Sequence, residues 1–99
     1  MSNLEGQLWS IAEDTAVAFG FSFASDCEGL LRDMISQGAS RLESEGFSED
    51  EDKISLTKVK TALFVTAMVA EAKRLQLPEL HEPTFHAAFQ RLCPIWPFC

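Results

Sequence analysis

The side chains best suited to chemistry gather near the carboxyl end of this 99-residue chain: His81, His86, Cys93 and Cys99. Imidazole and thiolate are ligands zinc favours, and structural zinc sites draw them from close pairs such as Cys-x2-4-Cys or His-x3-5-His. His81 and His86 meet the second spacing. Cys93 and Cys99 do not meet the first, because Pro94, Ile95, Trp96 and Pro97 hold them apart. The pattern therefore points to surface histidines and ordinary thiols, and no metal or other cofactor is expected. As an alternative, the same two cysteines can close a short, proline-containing loop as a disulfide that works as a redox switch. Neither has a neighbouring cation or helix N-terminus to favour its thiolate. Cys27 stands at a helix start, where the dipole favours the thiolate, but Asp26 and Glu28 oppose that field, which makes it a core thiol.

Other patterns fail on inspection of their spacing. Gly20-Phe21-Ser22-Phe23-Ala24 comes near a nucleophile elbow but lacks the second glycine, and the chain offers no parallel sheet to mount it. The acidic run Ser48-Glu49-Asp50-Glu51-Asp52 invites comparison with a calcium loop. With Asp50 in the first position, however, Ser55 stands where glycine is required and Thr61 where the closing glutamate belongs. Lys58, Lys60, Lys73 and Arg74 are spread over several helical turns and offset by acids, so they form no nucleic-acid stripe.

The elements that would position these groups read as four helices. Leu4, Leu8, Ile11, Ala12, Ala16 and Phe19 recur at helical spacing over about 4 to 19, with Asn3 as the cap and Gly20 as the stop. Phe21 to Ala24 alternate like a strand, yet no second strand signal exists, so they are expected to be a connector whose aromatics plug the core. Ser25-Asp26-Cys27-Glu28 spells a capping box and predicts a second helix over about 26 to 45, ended by Gly46 with Phe47 folding back on Leu42. For the third helix, over about 56 to 77, Ser55 is the expected cap, with Ile54 and Val59 as a hydrophobic staple and Pro78 as the stop.

The run Ala62 to Ala70 is almost wholly apolar. Leu56, Val59, Leu63, Thr66 and Ala70 lie along one side, and Phe64, Val65, Met68 and Val69 widen the buried surface nearly all round. That predicts a buried central helix. A short fourth helix over about 83 to 92 follows, with Phe85, Ala88, Phe89 and Leu92 on its apolar side. The predicted fold is an all-α, single-domain bundle of four helices, with a central apolar third helix and a short C-terminal fourth one.

Composition limits the function. With 46% hydrophobic residues and 23% charged, the chain is of ordinary globular character. Its net charge of -7 repels phosphate backbones and anionic lipid, so nucleic acid and membrane are poor partners and proteins better ones. An amino end without a basic, apolar leader and an odd number of cysteines place it in the cytoplasm.

The expectation is a non-enzymatic interaction or regulatory module that binds a protein or itself as a homodimer, through Phe85, Phe89, Trp96 and Phe98. A charge-based regulator would instead dock through Glu43, Glu45, Glu49, Asp50, Glu51 and Asp52. The third possibility is an enzyme or a metal or redox switch built on the C-terminal histidines and cysteines.

Overall fold

Helical periodicity and left-handed stops divide the chain into two helix pairs. A computed structural model describes residues 3–46 and 50–92 and contains α1 (Asn3–Ala18), α2 (Ser25–Ser44), α3 (Glu51–Arg74) and α4 (Glu82–Leu92). α1 packs on α2 and α3, and α4 packs on α3 and α2, so the four close a ring around one core. Leu8, Ala12, Cys27, Leu31, Ile35, Phe64, Val65, Met68 and Leu80 fill that core. The predicted all-α bundle is the observed one, with α3 central to it through its contacts with both α1 and α4. Among the described residues no helix is long and apolar enough to cross a membrane.

The helix ends show how the pairs are built. α1 stops at Gly20 (φ 80°): the Phe21 N–H donates to the Ala16 carbonyl at 2.9 Å and the Gly20 N–H to that of Val17 at 2.9 Å. This is the paired closure of a Schellman motif. α2 ends at Gly46 (φ 78°), as its sequence predicted, while Phe47 lies outside the described residues. α3 ends in the same way but without a glycine. Gln76 takes the left-handed conformation (φ 58°), and the Leu77 N–H closes on the Ala72 carbonyl at 2.8 Å. The stop thus precedes Pro78 and comes from the αL residue rather than from the proline.

Two predicted starts are corrected. The Ser25 capping box does not form; Ala24 is the cap, with no side-chain bond, and Ser25 is already helical. The cause is tertiary. The Ala24 N–H donates to the Leu80 carbonyl at 3.0 Å and the Leu80 N–H to the Ser22 carbonyl at 2.9 Å, which fixes Ala24 in an extended conformation (ψ 157°). The strand-like connector has therefore found a partner after all: Phe23 and Leu80 make one parallel bridge between the α1–α2 and α3–α4 connectors.

α3 begins five residues before the predicted Leu56, at Glu51, because the Asp50 carboxylate accepts from the N–H groups of Asp52 (3.1 Å) and Lys53 (3.2 Å). The acids Glu51 and Asp52 then sit at the positive end of the helix dipole, where they are favoured. Ser55 and Val59 consequently lie inside α3, and the predicted cap and staple are absent. α1 already includes Asn3, so its cap falls outside the described residues.

Candidate interaction surface

The bridge brings α1 and α3 to a common end, from which α2 and α4 depart, and this junction gathers His81, His86 and Cys27 with the carboxylates of Asp26 and Glu82. Asp26, in the first turn of α2, accepts from the Glu82 N–H at 3.2 Å through Oδ2 and lies 3.3 Å from His81 Nδ1 through Oδ1. It caps α4 from another helix, while α2 itself starts without a side-chain cap. His86 Nε2 lies 3.1 Å from Glu82 Oε1, one turn apart on α4.

The two histidines are therefore engaged with different carboxylates. Among the described residues no group of three or more His, Cys, Asp or Glu side chains is placed to hold a metal. Cys93 and Cys99, the remaining members of the suggested zinc or disulfide set, lie outside the described residues. Cys27 is fully buried beneath the junction. Burial, with the nearby Asp26 and Glu82 carboxylates, pushes its thiol up to about 12, against a smaller downward pull from its hydrogen bond with Thr84. It is a protonated core group, not a nucleophile.

The predicted aromatic surface divides differently. Phe85 is buried, edge-on to Phe64 at 5.6 Å and stacked with Phe89 at 6.0 Å, and Phe89 is half-buried beside it. Both belong to the α3–α4 packing. Trp96 and Phe98 lie outside the described residues. The acidic docking segment straddles two helix ends: Glu43 closes α2, Glu45 follows it within 3.9 Å of Arg41, Asp50 caps α3, and Glu51 and Asp52 are exposed in the first turn of α3. Glu49 lies outside the described residues.

A groove of about 340 Å³ lies between α1 and α2, lined by Glu5, Gly6, Trp9, Arg32, Asp33, Ile35 and Ser36. Arg32 is the one cation lining it. That guanidinium lies 4.1 Å over the Trp9 ring and donates to Glu28 at 3.3 Å, so it is already committed to neighbours.

What stands open is the outer face of α3. Its inner face buries Thr57, Thr61, Phe64, Val65, Met68, Val69 and Ala72. The stripe Leu56, Val59, Leu63, Thr66 and Ala70, which the sequence assigned to the interior, faces outward. Leu56, Val59 and Leu63 are 53%, 56% and 53% exposed, and Ala70 is exposed beyond them. The correction has a geometric cause. α1 and α4 occupy two flanks of α3, α2 packs on their far sides, and no other helix among the described residues covers the remaining face. Steps of three and four residues from 56 to 70 match the a and d positions of a coiled-coil heptad.

Lys53, Lys60 and Arg74 run along one edge of that stripe, and α3 holds no carboxylate between Asp52 and Glu71. The helix carries five of the chain's eight cations against three carboxylates, on a chain with 15 acids in all. At its far end the Lys73 ammonium sits 5.4 Å above the ring of Phe19, itself 43% exposed. Glu71 and Arg74 pair at that end, which lowers the carboxyl and raises the guanidinium from their ordinary values. The sequence signal for this surface was present in the strict three-four spacing; what it lacked was the direction the stripe faces. No family model matches the chain, and no curated protein or solved structure matches it.

Proposed function

We propose that this chain is a small, non-enzymatic protein-interaction module whose partner surface is the outer face of α3. One observation carries the reading: three large aliphatic side chains, each more than half exposed, stand at heptad spacing on a helix whose opposite face is the centre of the core. Isolated apolar groups on a surface are common, but a periodic row of them matches the way one helix receives another. Phe85 and Phe89 contribute by stiffening α3 from behind rather than by touching the partner.

The test compares the wild-type chain with Leu63→Glu, expressed with a small tag in the native host. Both should show the same circular dichroism and melting when purified, because position 63 faces water. In host extract the wild-type chain should elute as part of a larger particle and the variant as a monomer. Wild-type chain that elutes as a free monomer, at the same volume as the variant, would remove the proposal.

A further inference from the structure

Charge beside the stripe narrows the identity of the partner. We infer that the outer face of α3 receives an amphipathic helix of another protein, with its own apolar heptad seam flanked by aspartate or glutamate; this rests on the interaction reading above. The seam on α3 is narrow, confined to Leu56, Val59, Leu63, Thr66 and Ala70, which is the width one helix covers. Lys53 and Lys60 line one edge, and Arg74, which also pairs with Glu71, lies on the same edge two heptads further on. In a helix pair these edge positions lie opposite the flanking residues of the partner, where opposite charges select and like charges reject.

The same geometry disfavours a second copy of this chain. A parallel copy in register sets Asp52 on Asp52 and Lys73 on Lys73, since both continue the stripe at its three-four spacing. An antiparallel copy centred on Leu63 lays the Lys53–Lys60–Arg74 edge against its own equivalent. Either arrangement places like charges together at the rim of a small apolar contact. An anionic membrane is disfavoured on different grounds: the chain as a whole carries a charge of -7, and a one-helix seam offers little area to a flat surface.

A pair of labelled three-heptad peptides tests this, both with leucine at a and d, one with glutamate and one with lysine at e and g. Binding to the full chain is followed by fluorescence anisotropy at low salt. The glutamate peptide should bind about tenfold tighter than its lysine twin, the size expected from two or three rim pairs at about 0.5 kcal/mol each. Lys53→Glu/Lys60→Glu should reverse that order, and Leu63→Glu should abolish binding of both while leaving the circular dichroism unchanged. Equal affinity for the two peptides overturns the acidic partner but leaves the α3 surface standing. Binding of neither, while wild-type chain still enters a larger particle through Leu63 in extract, overturns the helical partner alone.

Three further outcomes would also overturn the inference. Sedimentation of the chain as a dimer that Leu63→Glu dissolves would assign the seam to a second copy, and co-sedimentation with phosphatidylserine-rich vesicles would assign it to a membrane. A monomer whose Leu63→Cys thiol resists labelling would show that the seam is covered by its own chain.

Discussion

Along α3 the inward face includes two threonines and the outward face three large aliphatics, the reverse of what polarity alone would assign. Thr57 and Thr61 are 3% and 1% exposed, yet each hydroxyl donates to a carbonyl one turn back, at 2.8 Å, on Lys53 and Thr57. With the hydroxyl satisfied by its own helix, the rest of threonine packs as a small β-branched residue, and burial costs little. Leu56, Val59 and Leu63 pay the opposite penalty in water. The contrast teaches that the interior of this bundle is chosen by fit. Threonine is slim enough for neighbouring helices to approach closely, whereas the leucines stand where no neighbour arrives.

Adjacent residues give the sharpest way to break that contrast. Phe64→Ala should remove about 3–5 kcal/mol of stability, the range for emptying a buried aromatic site, whereas Leu63→Ala should change it by about 0.5 kcal/mol or less. Urea denaturation of the two variants checks the pair, and a similar loss for both would mean that the outer face is not free. At the junction, Asp26→Ala should cost about 0.5–2 kcal/mol, because it strips the Glu82 N–H of its cap and His81 of its carboxylate. The same measurement on Ser25→Ala should show almost nothing, since that hydroxyl caps no helix. The smallest effect should be a gain: Gln76→Gly relieves a left-handed φ of 58° and should add up to about 1 kcal/mol, read as a higher melting temperature.

Much of the fold was legible because it is locally encoded. The helix count and the stops at Gly20 and Gly46 follow from periodicity and from the one residue type that enters the left-handed region freely. The failures share a different cause. Ser25 and Glu28 spell a capping box, but a backbone pairing with Leu80, far along the chain, takes the position that the box needs. Gln76 carries no sequence mark of a stop, because ordinary side chains enter αL only where surrounding contacts hold them.

The candidate surface was half legible. Its five residues and their spacing stood in the sequence. Which side of α3 the other helices would leave bare depends on how the ring closes, and no local pattern records that. The Asp26–His81 contact was invisible for the same reason, since one partner is in the first turn of α2 and the other in the α3–α4 connector, far apart along the chain.

The rung between Phe23 and Leu80 has a dynamic consequence. It lies outside every helix, in connectors that would ordinarily fray first, yet its two amide protons are held between the helix pairs. Ala24 and Leu80 are themselves buried, so their amides should exchange with deuterated solvent more slowly than those of the exposed connector residues beside them. Two loop residues thereby report on the seal between the halves of the molecule.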